Sequence, residues 1–548
     1  MPVTKEFPIF SNALYALLLL IATAALYGQF LWNPIVFDDQ QFFMLGNDRL
    51  GHYRSFSPFE LRWLPMATIA WTAHGIGLSL IWFRVENLLL HAATGIALFF
   101  FLQRLFDLSL KKNEGKPARL PHAWTAFFGA LLFVWHPVAV YGAGYLIQRT
   151  TMMATLFGLL ALYVYMRGLT EERPRWLWGS VALYYLAAFS KEHVVMLPAV
   201  MLALTVLLAQ PSRALWNRLW RIYAACTLIA LFVVLQKTGL LGAVYEITAP
   251  DMLEDIKLEH AYPLSILTQC FLFFKYVFLW LAPNPAWMSV DMREPFANSN
   301  LPFYLLALFA FLLYGLLALR LLFKRGMMGL LGFSLLFPWL LFMTELSSVR
   351  IQESFVLYRS YLWAPGAFAL LPLIVWKFTA RGAMLMFAVT SLFMVPLAME
   401  RLSSFSHTFI LWDDAEKLVR GRSDLPGEYR IYYNRGTEYV KLDQYDEAIV
   451  DLKRSIELFA NQPPAYGNLG WAYLKKGEME QAVRTYNKAI QTNDDRKYPP
   501  HPKYHLGRAA AHEALKNWAA ASADYKIACK IVNKGCDKTN LPLIEGKH

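Results

Sequence analysis

Long, nearly unbroken apolar runs fill residues 1–400, and none follows Arg401. The first extends from Leu14 to Leu31; others lie near 82–102, 123–140, 148–166, 177–189, 193–209, 222–238, 302–322, 328–344, 358–376 and 383–399. A helix that crosses a bilayer needs about 20 mostly apolar residues. The pattern therefore predicts an all-α polytopic membrane helix bundle of about eleven spans over 1–400, followed by a soluble helical domain over 401–548. The first run is long and lacks a small-residue cleavage site, so it reads as a span, not a cleaved signal.

Charge assigns sides to these spans. Basic clusters sit at Arg104–Arg119, Arg167–Arg175, Arg213–Arg221, Arg320–Arg325 and Lys377–Arg381, with acidic or mixed loops between them. Positive loops stay cytoplasmic. The net charge of +12 is thus a topology signal, and no aromatic–basic motif points to nucleic acid. One apolar run, 266–282, breaks the alternation if it crosses, because 302–322 must return to a basic cytoplasmic end. It is expected to be re-entrant or interfacial. An odd span count from a cytoplasmic N-terminus places the tail outside; a crossing at 266–282 would place it inside.

The tail repeats itself. Asn434/Asn468, Gly436/Gly470, Tyr439/Tyr473 and Ala448/Ala482 are each 34 residues apart. Thirty-four is the period of the tetratricopeptide helix–turn–helix unit. A third unit follows at an offset of 39, pairing Ala482 with Ala521, Tyr486 with Tyr525 and Ala489 with Ala528. The five extra residues fall in the Asp494–Pro502 stretch. Such a stack offers a concave surface to a protein partner.

The chemistry sits on the outer side. Asp38 and Asp39 follow the first span after a Trp-Asn-Pro break. Carboxylates beside a bilayer are costly and tend to be functional. The same side carries Arg54, Arg62, Asn87, His91, His136, Arg149, Lys191, Glu192, Glu353, Tyr358 and Arg359. Asn87 and His91 share one helical face. Bases hold phosphate through charge-assisted contacts, and a nearby acid can act as general base. A divalent metal, Mg or Mn, is compatible with the acid pair, although few further ligands are evident. No CxxC, HExxH or phosphate-binding glycine loop is present. Cys226 and Cys270 lie in apolar runs, whereas Cys529 and Cys536 are close enough in sequence to form a disulfide in an oxidising compartment.

The order of short motifs adds to this. Phe37-Asp38-Asp39, Arg62-Trp63-Leu64-Pro65, Asn87 with His91, His136-Pro137, Ser190-Lys191-Glu192, and Glu353 followed by Leu357-Tyr358 precede the repeats. This succession resembles the transmembrane-and-tetratricopeptide O-mannosyltransferases of the GT-C superfamily, and more closely their bacterial relatives that modify type IV pilins. Tyr141 stands where that family often has Glu, and Arg84 where it has His.

The resemblance implies a polyprenyl-phosphate sugar donor, a Ser/Thr acceptor on a pilin-like protein, and a periplasmic active site in the bacterial inner membrane. Asp38 or Asp39 would then be the base, and Arg149, Lys191 and Arg359 would meet the donor phosphate. The remaining outer-side residues would line the substrate pocket. Two other readings stand beside it: a transporter or flippase for a lipid-linked sugar, and a non-catalytic assembly platform. A transporter should show internal repetition, which the apolar runs lack.

Overall fold

The structure, a computed structural model, describes residues 10–37, 39, 57–110, 120–210, 212–237, 243–244, 258–298, 300–351, 353–422, 425–534 and 536–539. Asp38 and Arg54 lie outside the described residues. Helix makes up almost all of the regular structure. The described exceptions are a two-residue parallel pairing of Ala243–Val244 with Ser348–Val349 and a single bridge between Met292 and Phe355. The chain divides into two compact units, 1–407 and 408–548.

In the first unit, eight described helices are long and apolar enough to cross a membrane. They are Asn12–Phe30, Leu80–Ser109, Leu146–Glu171, Arg213–Gln236, His260–Leu281, Leu301–Leu322, Gly326–Ser347 and Ala380–Ser404. A bent pair, His122–Val134 and Pro137–Ala143, makes a ninth if it is one span. Against the expected count of about eleven, eight or nine candidates stand among the described residues. The runs at 177–189 and 193–209 become Pro174–Ser190 and Glu192–Leu208, parted at Lys191 and each shorter than any of the eight. The run at 358–376 breaks into the 3-10 segments Leu357–Tyr361 and Ala364–Leu370 and the short helix Leu371–Val375. Pro365 and Pro372 explain that break, since each removes a backbone donor. Gly366 belongs to it as well: a Cβ there would stand 2.0 Å from Cγ of Phe337.

The segment expected to be re-entrant is a continuous helix, Leu258–Leu281, long enough to cross despite Pro263. Proline is tolerated in such helices where neighbouring groups re-satisfy the backbone. A further helix, Trp63–Gly75, occupies what reads in the sequence as a long loop. Its Pro65 lies in the first turn, where no intrahelical donor is lost. On Leu301–Leu322, Leu306, Phe309 and Leu316 are more than 60% exposed, an apolar stripe of the kind that lipid would cover. Inside, Tyr15 packs against Phe99, Trp124 and Phe127, and Phe128 stacks on Phe387.

The second unit begins with helix Thr408–Val419 and continues as three helix pairs. These are Tyr429–Lys441 with Tyr445–Leu458, Pro463–Lys476 with Met479–Asp495, and Pro502–Ala514 with Trp518–Val532. The residues that set the sequence offset set the packing. Ala448, Ala482, Ala489, Ala521 and Ala528 are fully buried. Gly470 and Gly507 both face Tyr486, and a Cβ on Gly507 would lie 2.2 Å from its ring. The five-residue insertion is a loop held by Asn493, whose Nδ2 donates to the carbonyls of Tyr498 (3.3 Å) and Pro499 (3.1 Å). Cys529 and Cys536 are disulfide-bonded, with Cα atoms 5.0 Å apart. Beside them Lys538 and Tyr525 both bind the carboxylate of Glu513, at 3.0 and 2.7 Å.

Each outer repeat carries an arginine–aspartate fork. Arg435 donates to both oxygens of Asp451 at 2.7 and 3.0 Å, and Arg508 donates to both oxygens of Asp524 at 2.7 Å. At the corresponding positions the middle repeat has Leu469 and Thr485. Removing one partner of a buried pair leaves an uncompensated charge, which costs about 3 kcal/mol or more. Arg435→Leu should therefore destabilise the repeats by about that amount in urea unfolding followed by tail proteolysis. Arg435 also pairs with Glu416 at 2.7 Å and Asp413 at 3.1 Å, so the double change Arg435→Leu/Asp451→Thr, which copies the middle repeat, should recover only the part of the loss owed to Asp451; no recovery would mean that the loss comes from Glu416 and Asp413.

Candidate functional site

The chemistry-bearing residues gather where several helices of the first unit end. Leu80–Ser109, Leu146–Glu171 and Glu192–Leu208 begin there; Pro174–Ser190, Arg213–Gln236 and Gly326–Ser347 finish there. Two polar networks result, joined in sequence by Gln148-Arg149.

Asp39 anchors the first. It is fully buried, and its carboxylate accepts hydrogen bonds from the amides of Leu146 (3.2 Å) and Ile147 (2.9 Å). These amides open the turn that leads into helix Arg149–Glu171, and such donors have no partner inside their own helix. Arg84 donates to the carbonyls of Asn33 (2.7 Å), Gly144 (3.1 Å) and Pro34. Arg84 thus fastens the segment after helix Asn12–Tyr27 to this turn. One helical turn beyond Arg84, Asn87 donates to the carbonyl of Leu146 (3.2 Å) and accepts from Nε of Arg149 (2.9 Å).

Arg149 is committed here. Besides Asn87 it donates to Phe83 O (3.1 Å) and Thr68 Oγ1 (3.2 Å), and it pairs with Glu86 at 2.6 Å. That occupies four of the five N–H donors of a guanidinium. Arg149, expected from the sequence to meet a donor phosphate, is placed as a buried clamp between these groups. The two histidines expected in the pocket are likewise internal. His91 bonds Tyr361 Oη (2.7 Å) and Val134 O (3.1 Å). His136 accepts from the amide of Val138 (3.2 Å), bonds Trp280 O (3.0 Å) and stacks on the Trp280 ring. Both use both ring nitrogens for packing partners.

Lys191 centres the second network. Its backbone is extended between two helices, and Nζ donates to Gln148 Oε1 (3.0 Å) and Thr151 Oγ1 (2.6 Å). The amine lies 4.9 Å from the Tyr358 ring centre. Burial, followed by Arg62, pushes its pKa down to about 7. Tyr358 reaches Glu353 at 3.5 Å, and Arg359 binds Glu353 O (3.0 Å) and Glu345 (3.2 Å). Glu345 also approaches His193 (3.5 Å) and Arg350 (3.8 Å). Arg62 grips Glu192 with two bonds of 3.0 and 2.6 Å, and Lys237 shares the same carboxylate at 3.2 Å. A cavity of about 430 Å³ opens beside this network.

Lys191, Glu192, Glu353, Tyr358 and Arg359, grouped from the sequence, lie in or beside this network, and Glu86, Glu345 and Lys237 join them without having been singled out there. A carboxylate at the end of an apolar run, as in Met343-Thr344-Glu345, was the available signal. Among the described residues no three His, Cys, Asp or Glu side chains converge as metal ligands.

Comparison with known proteins bears on the second unit. The tetratricopeptide repeat family matches residues 429–462 and 463–495. These segments are tetratricopeptide repeats. Over 101 residues the chain is 27% identical to the small glutamine-rich tetratricopeptide repeat-containing protein 2 of Mycosarcoma maydis. That match covers 18% of this chain and spans only 27% of the relative. The crystal structure of the APC/C hetero-tetramer Cut9-Hcn1 aligns over 98% of this chain and 90% of its own at 13% identity, with a TM-score of 0.22. A score that low carries no argument about either unit.

Lys191 gives a pH signature. In the folded chain it loses its proton near 7, whereas an unfolded lysine keeps it to about 10.4. Between those values the unfolded chain binds more protons, so this group makes stability rise with pH. Below pH 7 the cost of the buried charge is fully present. Lys191→Met should therefore raise the melting temperature of the detergent-solubilised protein at pH 6 more than at pH 9. An equal change at both pH values would show that the amine is not titrating in this window.

Proposed function

We propose that the chain is a membrane glycosyltransferase that moves a sugar from a polyprenyl-phosphate donor to a Ser or Thr hydroxyl of a protein acceptor, a type IV pilin or a protein like it. The observation that carries this reading is the convergence of residues distant in sequence. Asp39, Asn87, Arg149, Lys191, Glu192, Glu353 and Arg359 form contiguous polar networks at one set of helix ends in an otherwise apolar unit. Polar groups so placed are expensive and mark function. The basic clusters near Arg104, Arg167, Arg213 and Arg325 sit at the opposite ends of the same helices. Under the positive-inside rule the networks then face the periplasm of a bacterial inner membrane.

In the reaction the acceptor oxygen attacks the sugar C1. The bond from C1 to the phosphate oxygen breaks, and its electron pair leaves on the polyprenyl phosphate. The hydroxyl proton passes to Asp38 or Asp39 and then to water. Fixed cations near the departing phosphate stabilise its growing charge. The repeats would hold the acceptor: their groove, about 1030 Å³, is lined by Tyr433, Trp471, Tyr498 and Tyr504. Aromatic side chains are favoured anchors for protein segments.

The test is the mass of the acceptor from cells that carry each variant. Asp38→Asn and Asp39→Asn should both insert and fold, and at least one should abolish transfer. Asp39→Asn keeps one acceptor oxygen where the Leu146 and Ile147 amides use one each, so its melting temperature is read beside transfer to separate lost packing from lost chemistry. Near-normal glycosylation in both variants removes the acid pair from the mechanism.

A further inference from the structure

At the helix ends opposite to Asp39 the chain builds a basic corner. The stretches 167–175 and 213–221 hold six arginines against two carboxylates, Glu171 and Glu172. Both acids are taken. Arg167 forks onto Glu171 at 2.8 and 3.2 Å, and Arg218 meets Glu172 at 3.3 Å. Arg218 also donates to the carbonyl of Leu169 at 3.3 Å. That side chain therefore joins the start of helix Arg213–Gln236 to the turn between Arg149–Glu171 and Pro174–Ser190. Arg173, Arg175, Arg213 and Arg221 are exposed and have no carboxylate partner among the described residues. Arg175 and Arg221 lie 5.3 and 5.4 Å from the ring centres of Trp176 and Trp220, contacts that leave N–H donors open. Trp178, Trp216 and Trp220 are exposed at the same ends. By the helical repeat, Arg213, Trp216 and Trp220 share one face of Arg213–Gln236 with Leu228, Leu231 and Leu235, which are exposed as well. That face runs from guanidinium through indole to aliphatic side chains.

We propose that this corner binds an anionic phospholipid that carries two phosphates, with Arg173, Arg175, Arg213 and Arg221 on the phosphates, the indoles at the level of the glycerol and an acyl chain along Leu228, Leu231 and Leu235. This rests on the bilayer placement within the transferase reading and not on the reaction; the lipid is neither sugar donor nor acceptor. Guanidinium groups take phosphate oxygens in pairs through charge-assisted contacts. Basic pockets between membrane helices on the cytoplasmic side hold head groups of this kind. Four arginines without a carboxylate exceed the charge of one phosphate diester, and two phosphates match it more closely. Tryptophan favours the level between head groups and hydrocarbon. A soluble polyanion would leave the indoles and leucines unmet, and a zwitterionic lipid would bring its own cation to the arginines.

The experiment uses the full-length protein. Its recovery in the membrane fraction comes first, because a chain found free of membranes removes the bilayer placement and this site with it. Native mass spectrometry in detergent then measures binding of diphosphatidylglycerol, phosphatidylglycerol, phosphatidylcholine and inorganic pyrophosphate. Diphosphatidylglycerol should bind tightest. Arg175→Gln and Arg213→Gln should each weaken it about fivefold, the effect of one basic residue at a membrane surface. Arg213→Lys, which keeps the charge, should lose less. The double variant Trp216→Ala/Trp220→Ala, which leaves every arginine in place, should also weaken the lipid. Wild-type affinity in the folded quadruple variant Arg173→Gln/Arg175→Gln/Arg213→Gln/Arg221→Gln overturns the site. Phosphatidylglycerol that binds as tightly as diphosphatidylglycerol overturns the assignment to two phosphates. Pyrophosphate that binds as tightly as the lipid, with the same dependence on Arg213, overturns the assignment to a lipid. Because neither sugar nor acceptor is present, charge-dependent lipid binding supports the site even where Asp38→Asn and Asp39→Asn leave glycosylation intact.

Discussion

Two amides at the start of a long apolar helix, those of Leu146 and Ile147, need an acceptor from elsewhere in the chain, and the carboxylate of Asp39 provides it. In an apolar surrounding such donors are costly to leave unmet. Satisfying them fixes where the segment after helix Asn12–Tyr27 lies. Arg84 secures that segment from a second direction, and Asn87 ties the same turn to Arg149. The next residues along, Gln148 and Thr151, then supply the oxygens that hold Lys191. The geometry of these helix ends thus propagates from one carboxylate through neighbouring hydrogen bonds. Asp39 has a structural task whatever its part in chemistry.

The sequence made the gross plan legible because that plan depends on composition. Apolar runs, basic loops and a 34-residue offset are each visible residue by residue. Grouping was legible in part: Lys191, Tyr358 and Arg359, from separate segments, do share one network. What stayed hidden depends on partners. Arg149 and Lys191 are both basic residues near helix starts, and nothing in the sequence says that one meets four accepting groups while the other meets two neutral oxygens. His91 and His136 looked like pocket residues because histidine on an outer helix face is chemically suggestive; their carbonyl partners, Val134 and Trp280, are remote in sequence.

Span counting failed for a different reason. Hydropathy measures transfer of a segment to lipid, and it does not register that Pro365 and Pro372 withdraw backbone donors. It therefore saw a single helix at 358–376 where the chain makes three short turns. Conversely, the charge rule argued against a crossing at 266–282, yet the helix there is unbroken over Leu258–Leu281. Helix Trp63–Gly75 was overlooked because an Arg-Trp-Leu-Pro opening looks like a loop, although a proline in a first turn is harmless.

Tyr486 sits between two glycines, Gly470 in its own repeat and Gly507 in the next. The ring works as a dowel: it fits only while both backbones keep their distance, so it fixes the step from the second repeat to the third. Tyr486, Gly467 and Gly507 also form part of the groove wall. The groove is consequently shaped before anything enters it. An incoming segment would bear the ordering cost alone, since binding to a preorganised surface spares the receptor's share. Selectivity in such a groove comes from rigidity as much as from the side chains that line it.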